Sequence, residues 1–148
     1  MAGSFIAISH HGVADAHELL ARLYQRTGDL SEPLADIGEG LVLSHRDRWD
    51  AQETPEGEPW APLSDKYRAR KTRHADEVLR FNDDLRDTLN YQADPQTLYF
   101  GTSLEYGAAH QFGRAEINLP ERPYLGLSDF DQQNVLEILE SYLTLDTA

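Results

Sequence analysis

Leu85-Arg86-Asp87-Thr88-Leu89-Asn90-Tyr91-Gln92-Ala93 and Thr97-Leu98-Tyr99-Phe100-Gly101-Thr102, separated by Asp94-Pro95-Gln96, carry the clearest strand pattern in the sequence. In the first run Leu85, Asp87, Leu89, Tyr91 and Ala93 alternate with Arg86, Thr88, Asn90 and Gln92, the period of a half-buried strand. In the second, Leu98 and Phe100 share one face and Tyr99 takes the other. The Asp-Pro-Gln turn joins them as an antiparallel hairpin. The longer flanking segments have helical periodicity. The expected class is therefore α+β, a single domain over residues 1–148. An N-terminal helical hairpin and a C-terminal helix pack on a small antiparallel sheet.

Upstream, residues 11–26 place Val13, Ala16, Leu20, Leu23 and Tyr24 on one helical stripe, and Thr27-Gly28-Asp29 ends it. Ser31 is the expected N-cap of a second helix with Pro33 in its first turn. Leu34, Ile37, Leu41, His45 and Trp49 follow at spacings of three and four, a buried stripe about four turns long. Residues 1–10 read as a short strand or an ordered arm. Residues 50–63 form a Pro-rich loop that carries Trp60. Ser64 is expected to cap a short helix through residue 73, followed by a helical or irregular piece over residues 75–81. Downstream, residues 106–112 suit a short helix closed by Gly113. Ser128, with Asp131 three residues ahead, caps a final helix whose apolar face is Val135, Ile138, Leu139, Tyr142 and Leu143.

The 148 residues suffice for one sizeable core. Thirteen Lys and Arg against twenty-six Asp and Glu leave a net charge of −13, a field that repels nucleic-acid phosphates and anionic lipid. Neither direct nucleic-acid binding nor a membrane partner is expected. No run approaches the ~20 apolar residues of a membrane span, and the N-terminus does not read as a signal peptide. The sequence has no cysteine, which excludes disulfides, thiolate metal sites and Cys nucleophiles.

Several catalytic spacings begin and then fail. His17-Glu18 lacks the second His of a zinc-protease helix, because position 21 is Ala21. Gly101-Thr102-Ser103-Leu104 lacks the second glycine of a nucleophile elbow, since Glu105 follows. Asp129, Asp131, Gln133 and Glu140 fall at calcium-loop spacings, yet Asn134 stands where the loop needs glycine. His45 lies on an apolar stripe and reads as a hydrogen-bonded core residue. No cofactor or metal is expected.

Five of the thirteen basic residues, Lys66, Arg68, Arg70, Lys71 and Arg73, fall within eight positions. Such a run is either a solvated helix face or a contact for an acidic surface, such as that of a neighbouring copy. Two unlike patches of this kind favour head-to-tail rings.

Three further segments are too unusual for an anonymous core. They are Glu56-Gly57-Glu58-Pro59-Trp60-Ala61-Pro62-Leu63-Ser64, Tyr106-Gly107-Ala108-Ala109-His110-Gln111-Phe112-Gly113 and Pro120-Glu121-Arg122-Pro123-Tyr124-Leu125-Gly126-Leu127-Ser128. In this order, with Gly101-Thr102 at the strand end, the chain resembles the phage virion morphogenesis family, the tail completion proteins of Mu-like and P2-like bacteriophages. The resemblance covers about residues 37–143. Gly107 stands where the family pattern has a small alanine, and Tyr124 where phenylalanine is commoner.

The resemblance implies a non-enzymatic protein that completes the head-proximal end of a tail and makes it competent to join the head. It implies tail tube, tail terminator and head-neck connector partners, a homo-oligomeric ring, plausibly hexameric, assembly in the host cytoplasm, and a place in the virion at the tail neck. Interface or motif roles fall on Trp60, Pro62, Lys66, Arg68, Arg70, Lys71, Tyr106, His110, Gln111, Phe112, Arg122, Pro123 and Tyr124. Trp60 offers a rigid apolar plate. His110 and Gln111 suit structural hydrogen bonding, and Arg122 between two prolines suits bidentate capture of a carboxylate. Two other classes stand beside this one. A small metal-dependent hydrolase would use His110 with carboxylates such as Glu105, and an acidic nucleic-acid mimic would concentrate its acids on one face.

Overall fold

The computed structural model describes residues 4–9, 16–80 and 82–146. The hairpin is present but shorter than its sequence pattern. β2 (Asn90–Ala93) pairs antiparallel with β3 (Thr97–Thr102), placing Tyr91 opposite Phe100 and Ala93 opposite Leu98. Residues preceding β2 instead wind into a helical turn, α4 (Asp84–Asp87). Leu85 and Leu89 satisfy both readings, being two strand periods or one helical turn apart, and both are buried. The helical solution wins because Asp83 takes a left-handed conformation at φ 61° and Thr88 closes the turn, its hydroxyl donating to Asp84 O at 2.7 Å.

A third strand completes the sheet. β1 (Ser4–Ser9) pairs antiparallel with β3 on the side opposite β2, so the strand order is β1-β3-β2. The alternation in residues 4–9 is thus resolved as a strand. Ile8, Leu98 and Phe100 point into the core, while Phe5 and Tyr99 emerge on the outer face. Gly101 lies opposite Phe5, and a Cβ there would stand 2.0 Å from Ser4 O. The glycine is therefore what lets β1 reach its register.

The sheet is covered on its inner face by α2 (Ser31–Ala51), on which α6 (Asp129–Asp146) packs in turn. Leu34, Ile37, Leu41, His45 and Trp49 of α2 are all buried, as the spacing predicts. The ring of Tyr91 rests on Gly38, where a Cβ would lie 2.5 Å from it, and its hydroxyl donates to Glu39 at 2.7 Å. α1 (His17–Thr27) buries Leu20 and Leu23 and packs against α6. Residues 10–15, including Val13 of the expected first helix, lie outside the described residues. Ser31 is the first residue of α2 rather than its cap; Asp29 Oδ1 accepts from the Ser31 N–H at 2.8 Å instead.

Ser64 caps α3 (Asp65–Arg70) by accepting from the Tyr67 N–H at 3.2 Å, but the helix ends three residues earlier than expected. Lys71 is extended at ψ 126°, and none of α3 is buried to hold a further turn. Residues 75–80 are irregular. Gln52 fixes them to α2: its amide oxygen accepts from the Val78 N–H at 2.5 Å and its nitrogen donates to Val78 O at 3.1 Å. α5 (Tyr106–Phe112) ends at Gly113, where φ is 75°. Ser128 and Asp131 cap α6 reciprocally, with N–H···O distances of 3.0 and 3.1 Å. No helix among the described residues is long and apolar enough to cross a membrane.

His45 is fully buried, bonded through Nδ1 to Leu41 O at 2.8 Å and tilted against Phe100. Burial, reinforced by the Arg48 charge, holds its pKa down to about 3. In the unfolded chain the ring titrates near 6.5, so between these values the unfolded state binds the extra proton. The contribution of His45 is complete above pH 6.5 and is lost as pH falls, by up to about 1.4 kcal/mol per unit. Thermal melts from pH 7 to 4 should therefore show a shallower acid decline for His45→Gln than for the wild type.

Candidate functional site

The three unusual segments meet in space. Trp60 is buried; its ring stands edge-on to Trp49 at 5.3 Å and its Nε1–H donates to Pro123 O at 2.7 Å. The Pro-rich loop is thereby fastened to the segment carrying Arg122 and Tyr124. Arg122, only 5% exposed, donates from Nε to Ala61 O at 2.7 Å and from Nη2 to Pro62 O at 3.0 Å. It is thus bidentate to two carbonyls rather than to a carboxylate within the chain. Its own N–H donates to His110 O at 2.8 Å, joining the same segment to α5.

Gln111 has the structural hydrogen-bonding role expected of it, serving mainly backbone N–H groups. Its Oε1 accepts from Tyr124 N and Leu125 N, both at 3.0 Å, with a longer bond from Nε2 to Leu125 O. Tyr124 is wholly buried, packs on Trp49 and donates its hydroxyl to Gly107 O at 2.8 Å. Burial raises its pKa, so the phenol stays protonated. Gly107 and Tyr124 are sterically coupled. A Cβ on Gly107 would meet the Tyr124 hydroxyl oxygen and Thr102 Cγ2, both at 2.7 Å. The space an alanine methyl needs is the space the tyrosine hydroxyl occupies.

Sequence reasoning missed the group beneath this junction. Arg48 and Asp131 are 6% and 3% exposed and form an ion pair of 3.1 Å. Arg48 Nη1 also donates to Tyr124 O at 2.6 Å and Gly126 O at 3.3 Å. One guanidinium thereby joins α2, the residue 124–126 loop and the first turn of α6. The available signal was a basic residue at position 48, on the same stripe as the buried His45 and Trp49.

The remaining expected residues surround a groove of about 860 Å³, lined from the 62–64 loop, α3, residues 79–85, α5 and residues 117–122. Pro62, Lys71, Tyr106, His110 and Arg122 all line it. Lys71 donates to Glu77 O at 2.6 Å, and Tyr106 stands edge-on to His110 at 5.9 Å. His110 Nδ1 is buried without a hydrogen-bond partner among the described residues. Burial, with Arg122 nearby, lowers the His110 pKa, and burial with the Arg122 and Arg80 charges lowers that of Lys71. Lys66, Arg68 and Arg70 are exposed on α3; Arg68 reaches Asp76 at 3.9 Å and Arg70 lies over the Tyr67 ring. Phe112, 70% exposed, projects into solvent. Among the described residues no carboxylate bonds His110 Nδ1, and no three His, Asp or Glu side chains converge on a metal-sized site. The acidic residues on α2 and α6 do not gather at this groove.

The geometry is a scaffold of loops pinned by aromatic, amide and guanidinium groups around an open groove, and comparison with known proteins gives the same motifs a lineage. The model of the phage virion morphogenesis family matches residues 13–144. The chain belongs to that family. It is accordingly a structural protein of virion assembly and not an enzyme. It is also similar to "Tail completion protein S" of Escherichia phage P2, 29% identical over 121 residues that span 74% of this chain and 81% of that protein. No solved structure matches the chain.

The Gly107–Tyr124 coupling is open to test by a double-mutant cycle. Gly107→Ala should destabilise the protein by about 1–3 kcal/mol through overpacking. In the Tyr124→Phe background the same change should cost distinctly less, because the clashing oxygen is gone. Urea unfolding of the four proteins measures the coupling.

Proposed function

We propose that this morphogenesis protein completes the head-proximal end of a phage tail and makes it competent to join the head, working as a homo-oligomeric ring. Its partners are then the tail tube or tail terminator on one side and the head-neck connector on the other, and its place in the virion is the tail neck. The similarity to a protein named for tail completion carries this reading. The conversion of three chain segments into one pinned, non-catalytic surface supports it. A surface of that kind serves binding, with ring closure adding avidity. Trp60 and Tyr124 act within the protein, fixing the loops that neighbours meet, whereas Lys66, Arg68, Arg70 and Phe112 are free to meet them. A sixfold ring suits a tail tube of the same symmetry.

The net charge of −13 sets the condition for assembly. Free copies repel one another at long range, and salt screens that repulsion before it weakens short contacts. Tails lacking this protein, mixed with the purified chain, should take it up at one end and gain the ability to join filled heads. Self-association followed by light scattering should strengthen as ionic strength rises from about 0.01 M to about 0.15 M. A protein that ignores such tails sinks the proposal.

A further inference from the structure

The groove holds an unusual donor set for so acidic a chain. Arg80 is neutralised there by Asp83 and Glu77, at 2.7 and 2.8 Å. Burial raises the pKa of Tyr106, and the Asp84 charge adds to it. Lys71 and Arg122, by contrast, form no ion pair among the described residues, and each bonds only carbonyl oxygens. His110 Nδ1 has no hydrogen-bond partner among the described residues. Lys71, Arg122 and an unpartnered imidazole nitrogen line a single groove; the Arg122 charge acts against the protonated forms of both Lys71 and His110, with Glu77 partly offsetting it at Lys71, and a carboxylate placed among them would favour all three. Around them Leu63, Leu79, Ile117 and Leu119 offer apolar walls. The ligand chemistry is thus an acidic side chain next to a large apolar one, on a protein surface.

The chain carries that combination itself. Phe130, in the first turn of α6, is 73% exposed, more than any other large apolar side chain described. Asp129 beside it is exposed as well. Neither contributes to the cap, which uses Ser128 and Asp131, nor to the buried stripe of Asp131, Val135 and Leu139. Nothing within the fold calls for an aromatic ring at position 130. Neither residue lines the groove of its own chain.

We propose that Phe130 and Asp129 of one copy seat in the groove of the next, the ring against Ile117 and Leu119 and the carboxylate on Lys71 and His110. The contact joins two different surfaces, so copies add head to tail and can close into a ring. The inference rests on the ring reading above and identifies the surfaces that build it.

Four full-length variants test it: Phe130→Ala, Lys71→Glu, Asp129→Lys and the double variant with both charge reversals. Each is checked for an unchanged thermal transition, then read by sedimentation velocity and by completion of tails that lack the protein. Phe130→Ala and each single reversal should weaken self-association and tail completion by about tenfold or more, the loss of about 1.4 kcal/mol. The double reversal should recover both, because Glu at position 71 again faces an opposite charge at position 129. Mixing Phe130→Ala with Lys71→Glu should give dimers and nothing larger, since only one intact knob and one intact groove remain. A Phe130→Ala protein that associates and completes tails like the wild type overturns the inference and leaves the tail-completion proposal standing. So does a double reversal that is no better than the singles. Loss of tail completion in Lys71→Glu with Phe130→Ala and Asp129→Lys both unaffected also overturns it, and assigns the groove to a tail protein. A wild-type protein that completes no tails defeats the proposed function instead.

Discussion

The buried pair of Arg48 and Asp131 is the constraint from which the rest of the arrangement follows. Desolvating two charges is costly, and such a pair persists only where every remaining hydrogen-bonding site is used. Here the guanidinium also takes the carbonyls of Tyr124 and Gly126, and the carboxylate also accepts the Ser128 N–H that caps α6. Helix α2 is thereby fixed to the 124–126 loop and the start of α6, both far from it in sequence. With Tyr124 fixed, its hydroxyl locates α5 through Gly107, and Pro123 O locates the Pro-rich loop through Trp60. The groove is bounded by those same segments, so its shape depends on a charge pair buried outside its lining.

Much of this was legible in the sequence, and the reasons differ by element. The buried stripe of α2 and the capping box of α6 obey local periodicities, which survive because tertiary packing reinforces them. The hairpin was visible through β3, whose alternation is strict. The Leu85–Leu89 interval was ambiguous, since a spacing of four serves a strand and a helix equally. The left-handed Asp83 that decides between them has no unique sequence signature. Helix α3 was overextended because its basic residues favour helix locally, while no buried side chain anchors another turn. Ser31 does not cap α2, because the helix starts one residue earlier than a Ser31 cap requires: Leu30 holds the cap position and Asp29 accepts the Ser31 N–H from the preceding turn.

The site was legible as a set of segments and not as a geometry. Trp60, His110, Gln111, Arg122 and Tyr124 stood out by rarity, and the structure brings all five to one junction. Their duties diverge there. Gln111, Trp60 and Tyr124 hold the fold, while His110 retains an unused nitrogen at the groove. Arg48 escaped notice because a lone arginine on a helix normally faces water, and its partner lies 83 residues away. Phe130 escaped because a single aromatic beside a cap gives no periodic signal. Its proposed role comes only from its exposure on a chain that also carries a groove of complementary chemistry.

The central claim is that Arg48 and Asp131 act as one unit to hold the 124–126 segment, and hydrogen exchange reads it directly. The amides of Tyr124 and Leu125, both bonded to Gln111, report on that segment. The account predicts that Arg48→Met and Asp131→Asn each accelerate exchange at these two amides by tenfold or more, about 1.4 kcal/mol. It further predicts that the double variant is no worse than the more damaging single change. Strictly additive effects, or exchange at Tyr124 and Leu125 unchanged from the wild type, would contradict it.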